Sequence, residues 1–186
     1  MTKIKLEREL TTLEYVVLGF ISVEPQSGYS IISTLETGVH RWSASPGAIY
    51  PILKRLEQLE LIEGELEIPN EARARKMYQL SASGAAMLDE WLLAPLSNRE
   101  LLEERDITLL KFLFAENRLS KTQVIAWLKA YQEGTAQYKT AREAFFDVTI
   151  AQATPHQRLI WEATLMDIQM QERWIEKALA QLNKES

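Results

Sequence analysis

The chain has no cysteine, only two histidines in 186 residues, and no unbroken apolar run long enough to cross a bilayer. Without cysteine there can be no disulfide staple, no thiol nucleophile and no cysteine-ligated zinc, so stability has to come from packing. His40 and His156 stand far apart in sequence with no carboxylate motif beside either, and neither a phosphate loop nor a G-x-S-x-G elbow is present. The sequence therefore reads as a protein that is not an enzyme and holds neither metal nor cofactor. A membrane-spanning helix needs about 20 apolar residues, and the opening MTKIKLEREL has no apolar stretch of signal-peptide type. A cytoplasmic location and no membrane partner are expected. Basic charge is also scarce: 21 Lys and Arg face 26 Asp and Glu, for a net charge of -5. That excludes a surface that coats nucleic acid indiscriminately, and any contact with it has to be a local patch on an acidic body.

What is present is a series of helix starts. Thr11 with Glu14, Ser97 with Glu100, Ser120 with Gln123 and Thr154 with Gln157 each set a hydroxyl at an N-cap and a Glu or Gln three residues on, the pattern of a capping box. Ser45-Pro46 and Thr154-Pro155 add proline at the first helical position, where its missing N–H is not needed. The periodicity predicts a helix over about 12–23 and a second from 28 to about 36, capped by Ser27 and ended by Gly38. A third runs from Pro46 to about Glu60, with Ile49, Ile52, Leu53, Leu56 and Leu59 on its apolar stripe. Alternation over 61–68 and again from Arg75 to Leu80 predicts a β-hairpin whose 69–74 loop gathers basic residues, and a fourth helix starts at Ser81 and stops before Pro95.

Beyond Ser97 three helices are expected, at about 99–116, 121–150 and 155–183. The last is apolar on two sides. Leu159, Ala163, Met166, Met170, Trp174 and Ala178 mark one face, and Trp161, Leu165, Ile168, Ile175, Leu179 and Leu182 mark the other. A helix apolar on two sides needs two partners. The expected fold is thus mainly α: an N-terminal winged helix-turn-helix of three helices, a two-stranded wing and a fourth helix over residues 1–96, then a three-helix dimerisation domain over 97–186. Trp161, Leu165, Ile168, Ile175 and Leu179 are the expected dimer contacts.

In a helix-turn-helix the second helix enters the major groove, where base edges differ in their donors and acceptors. Here that helix begins at Pro46. Ser45, Gly47, Ala48 and Tyr50 would reach the groove, Lys54 lies one turn further on a similar face, and Arg41 and Arg55 are candidates for phosphate. Arg73, Arg75 and Lys76 sit where a wing would meet the backbone or an adjacent minor groove. Each of these residues also has a plainer reading. Tyr50 could be a half-buried aromatic whose hydroxyl satisfies a backbone group, Arg55 a solvated helix face, and the wing cations an ordinary solvated loop.

The run LEYVVLGFISVEPQSGYSIISTL, the block WSASPGAIYPILKRLEQLELI and the segment KMYQLSASG resemble the PadR family of transcriptional regulators. The segment RDITLLKFLFAENRLS and the long helices after it resemble the larger members, whose helical C-terminal part makes the dimer. The resemblance implies a homodimeric repressor on double-stranded DNA at an inverted repeat, adds Tyr29 to the DNA-binding residues, and implies a small aromatic effector. Trp91, Trp127, Tyr131, Trp161 and Trp174 are candidate walls for its pocket, although aromatics at helical spacing are more often core or dimer interface. One departure stands out: Glu60 occupies the position where the family usually ends the recognition helix on glycine, so a residue other than glycine has to turn left-handed there or the helix ends differently. The competing reading is a winged-helix module that binds protein instead of DNA, suggested by the acidic balance and the glutamates of the first hairpin strand.

Overall fold

The computed structural model describes residues 8–37, 45–68, 74–102 and 104–184. It divides into two compact units, one made of Met1–Ala94 with Asp106–Leu119 and the other of Pro95–Arg105 with Ser120–Ser186. Among the described residues, no helix is long and apolar enough to cross a membrane.

The first unit begins with α1 (Thr12–Val23), whose capping box forms as its sequence dictates, and continues through β1 (Gln26–Ser27), α2 (Gly28–Thr37) and α3 (Pro46–Gln58). The hairpin strands are β2 (Ile62–Glu67) and β3 (Arg75–Leu80), followed by α4 (Ala82–Leu93). The wing pairs antiparallel from Ile62 opposite Leu80 to Glu67 opposite Arg75. The sheet has three strands, not the expected two, because Gln26 and Ser27 pair with Tyr78 and Met77 on the far edge of β3. Two residues are too few to show a period of two in sequence.

The core is built from one stripe of each element. Val16, Val17, Leu18 and Ile21 of α1 meet Ile31 and Leu35 of α2, Ile49, Leu53 and Leu56 of α3, Ile62 of β2, and Leu88 and Leu92 of α4. The expected helix over 99–116 is in fact two, α5 (Asn98–Leu102) and α6 (Arg105–Ala115). Ile107, Leu110 and Phe114 of α6 join the first unit's core, and the Phe114 ring meets Phe20 edge-on at 5.3 Å. The boundary expected after residue 96 leaves this helix on the other side.

α3 ends as a Schellman motif. The Leu61 N–H donates to the Leu56 carbonyl and the Glu60 N–H to the Glu57 carbonyl, both at 3.0 Å, and Glu60 takes φ 57. Of the two outcomes left open for Glu60, the left-handed one is realised. The turn is locked from the far side: the Ser81 hydroxyl donates to the Glu60 carbonyl at 2.6 Å and the Ser81 N–H to the Leu61 carbonyl at 3.1 Å. Gly84 of α4 lies so close that a Cβ would fall on the Leu61 carbonyl oxygen.

In the second unit, α7 (Lys121–Thr149) and α8 (Pro155–Lys184) form an antiparallel hairpin joined through a short 3₁₀ turn at Ile150–Gln152. The capping boxes at Ser97, Ser120 and Thr154 all form. Val124, Leu128, Tyr131 and Thr135 of α7 are buried, as are Ile168, Gln171 and Ile175 of α8. The buried residues of α7 all lie in its first half, and Phe145 and Val148 near its end are exposed.

Candidate nucleic-acid interface

The first turn of α3 is built to be approached. Ser45 is extended at the N-cap with φ -67 and ψ 153, and its hydroxyl makes no capping hydrogen bond. Its carbonyl accepts from the Ala48 and Ile49 amides at 2.8 and 3.2 Å, and proline at the first position removes one orphan donor. Ser45 and Gly47 are exposed and Ala48 half-exposed, and a Cβ on Gly47 would touch only the Ser45 Oγ, at 3.7 Å. Among the described residues, no large side chain shields the backbone at this end of the helix.

Two tyrosines, one on α3 and one on α2, are exposed. Tyr50 is 53% exposed and Tyr29, in the first turn of α2, is 76% exposed. The Tyr50 ring lies against Gly28, whose hypothetical Cβ would be 2.6 Å from Cε1. Gly28 therefore seats the ring against the start of α2. Lys54, one turn after Tyr50, is exposed and makes no ion pair among the described residues.

The other predicted cations among the described residues are engaged by acids. Arg55 is only partly exposed, and its Nη1 donates to Glu14 at 2.6 Å while Nη2 reaches the Arg8 carbonyl at 3.3 Å. Where the sequence leaves two readings of Arg55, a phosphate ligand or a solvated face, the free chain shows a guanidinium held by Glu14. Lys76 pairs with Glu57 of α3 at 2.7 Å, which holds its ammonium above the usual lysine range. Gly64 clears the space for this pair, since a Cβ there would strike the Lys76 stem and come within 2.8 Å of Glu57 Oε1. Arg75 pairs with Glu67 across the wing at 3.1 Å. Arg41 and Arg73 lie outside the described residues.

Glu14, read in sequence only as a capping residue, proves to be a buried and heavily hydrogen-bonded charge. Its side chain is 1% exposed. It accepts from Arg8 Nη1 and Nη2 at 2.8 and 2.9 Å, from the Thr11 amide at 2.7 Å and hydroxyl at 3.1 Å, and from Arg55. Burial alone would push this carboxyl up, but the hydrogen bonds from Arg8, Thr11 and Arg55 outweigh it and hold it at about 2. The capping signal was visible, whereas the arginine 41 residues away was not.

The expected dimer contacts need correcting. Ile168 is 3% exposed and Ile175 fully buried within a single chain, and Trp161 stacks on Phe146 of α7 at 4.5 Å. Leu165 and Leu179 are half-buried on the same side. This face of α8 is occupied by α7, and the opposite one is open, with Leu159, Met166 and Met170 at 59, 66 and 47% exposure. Toward the turn of the hairpin, Phe145, Phe146, Ile160 and Trp161 line a cleft of about 810 Å³ that also holds Tyr138 and Arg142. The Arg142 Nε donates to the Tyr138 hydroxyl at 2.8 Å.

Comparison with known proteins bears on the first unit above all. The model of the transcriptional regulator PadR-like family matches residues 17–90. The negative transcriptional regulator PadR of Bacillus subtilis (strain 168) is 34% identical over 85 residues, which make up 45% of this chain and 47% of that protein. The chain thus matches about half the length of this curated relative. Among solved structures, Bacillus subtilis PadR in complex with operator DNA is similar at 23% identity and a TM-score of 0.48, over 94% of this chain and 99% of that one. A PadR-like transcriptional regulator from Bacillus cereus is similar at 20% identity and a TM-score of 0.42, over 96% and 99%.

Proposed function

We propose that this chain, whose residues 17–90 match the model of the transcriptional regulator PadR-like family, is a homodimeric repressor that binds double-stranded DNA at an inverted repeat. The observation that carries the proposal is the surface at the start of α3. Among the described residues, the first turn at Ser45, Gly47 and Ala48 is unshielded, Tyr50 and Tyr29 are exposed, and Lys54 makes no ion pair. Small residues there admit the helix end to the major groove, the tyrosines offer both ring faces and hydroxyls, and Lys54 supplies a phosphate contact. Arg75 and Lys76 reach phosphate only by exchanging their carboxylate partners for it. The name of the Bacillus subtilis relative, a negative regulator, supports repression.

Dimerisation is assigned to the open face of α8. Leu159, Ala163, Met166 and Met170 repeat at helical spacing and are uncovered in the single chain, and a second copy presenting the same stripe buries both. The aromatic cleft between α7 and α8, with one arginine at its edge, suits a planar aromatic anion as effector. Benzoate titrated against tryptophan fluorescence tests that part, and an unaltered signal at millimolar benzoate removes it.

The decisive experiment is enrichment of duplexes from a random-sequence pool by the purified chain. An inverted repeat with half-sites about 34 to 36 Å apart is expected. Tyr50→Ala with Lys54→Ala is expected to abolish binding to the enriched duplex and leave the dimer intact. No enrichment, with the protein folded, overturns the reading in favour of a protein-binding winged module.

A further inference from the structure

We propose that Glu14 is a positioning residue for DNA recognition: by gripping Arg55 it fixes the tilt and rotation of α3, and with them the aim of the Ser45 to Tyr50 turn. The proposal rests on the DNA-binding reading above and adds a residue that touches no nucleic acid in it. Apolar contacts through Ile49, Leu53 and Leu56 hold α3 to the core, but such burial is non-directional and tolerates small slips. A short, charge-assisted hydrogen bond from a guanidinium fixes both distance and direction.

The carboxylate is well placed to act as a fixed point. It sits in the first turn of α1, within a capping box that pins its own backbone, and Arg8 clasps both its oxygens. Arg55 lies five residues after Tyr50, about 140° around the helix at 3.6 residues per turn, so Glu14 holds the back of α3 while Tyr50 and Lys54 face away. Leverage amplifies any error. Ser45 is about 15 Å along the helix from Arg55, and a tilt of about 10° about the anchor moves the first turn by about 3 Å, enough to break base-edge hydrogen bonds. The same contact keeps Arg55 from phosphate, so this cation serves geometry instead of charge neutralisation.

The test compares affinity for the duplex enriched by the wild-type chain with affinity for a scrambled duplex of the same length. Glu14→Gln is expected to weaken the enriched duplex at least about tenfold while the scrambled duplex binds equally well or slightly better, one negative charge having gone. Arg55→Lys keeps the charge but loses the fork, and it is expected to show the same loss of discrimination with an unchanged salt slope. Circular dichroism below the melting transition establishes that each variant is folded, and Glu14→Asp, which keeps the buried charge but shortens its reach, replaces Glu14→Gln if that variant does not fold. If Arg55 is instead a phosphate contact, Arg55→Gln weakens both duplexes alike, lowers the salt slope by about one, and Arg55→Lys is near neutral. That pattern, or unchanged discrimination in the folded variants, overturns the inference and leaves DNA binding standing. Failure of the wild-type chain to enrich any duplex overturns DNA binding itself, and the inference with it.

Discussion

The winged unit and the helical unit solve the same packing problem differently. In the first, five helices and a sheet turn their apolar stripes toward one another, so that Val16, Leu18, Ile31, Ile49, Leu56 and Leu88 are all fully buried. In the second, two helices of 29 and 30 residues meet along one seam and leave Phe145, Val148, Leu159 and Met166 each more than half exposed. A closed core is complete in one copy of the chain, whereas a two-helix seam with a second apolar face is complete only when something else covers it.

The sharpest way to break this contrast is to damage one unit and watch the other. Gly84→Ala forces a Cβ onto the Leu61 carbonyl, where backbone has to yield, and is expected to destabilise the winged unit by about 4 kcal/mol. Hydrogen exchange should accelerate in α1, α3 and α4 and hold steady in α7 and α8; equal acceleration in both would make them one cooperative unit. Next come paired changes within α8. Ile175→Ala, in the seam, is expected to lower stability by about 3 kcal/mol. Met166→Glu, on the open face, should leave single-chain stability within about 0.5 kcal/mol. It should, however, raise the dimer dissociation constant at least about 100-fold by light scattering over a concentration series.

Acid sharpens the comparison further, because the winged unit carries a buried carboxylate held low. The Glu14 carboxyl titrates at about 2 in the folded chain against an ordinary value of 4.5. Its contribution is therefore complete above about pH 5 and is lost as pH falls from there through 2, on the order of 3 kcal/mol in all. Glu14→Gln is expected to abolish that dependence in the winged unit and leave acid unfolding of α7 and α8 as it was. The smallest effect is Glu60→Gly, which relieves a left-handed glutamate and is expected to add about 1 kcal/mol to the winged unit alone by chemical denaturation.

Local signals were the legible ones. Four capping boxes and the helix starts at Ser27 and Ser81 rest on residues within a few positions of one another, and the sequence carries each directly; the turn at Glu60 was marked by the family resemblance, with two outcomes left open. What it did not carry is long-range or degenerate. Nothing near Arg55, Lys76 or Arg75 names Glu14, Glu57 or Glu67 as partner, so three expected phosphate ligands turned out to be ion-paired. The break between α5 and α6 is hidden because Leu101, Leu102, Ile107 and Leu110 keep an apolar rhythm across it. Both faces of α8 are apolar, and periodicity cannot rank two equal stripes. The seam went to the face holding Ile168 and Ile175, leaving Met166 and Met170 outside.

The ion pairs across the wing bear on kinetics. Cations that already hold carboxylates, Lys76 on Glu57 and Arg75 on Glu67, project little field into solvent, and the chain as a whole repels a polyanion. On the DNA-binding reading proposed above, encounter with a duplex proceeds without strong electrostatic steering, nearer to about 10⁵–10⁶ M⁻¹s⁻¹ than to the 10⁸–10⁹ M⁻¹s⁻¹ of steered pairs. On that reading, occupancy of an operator is governed by how slowly the protein leaves.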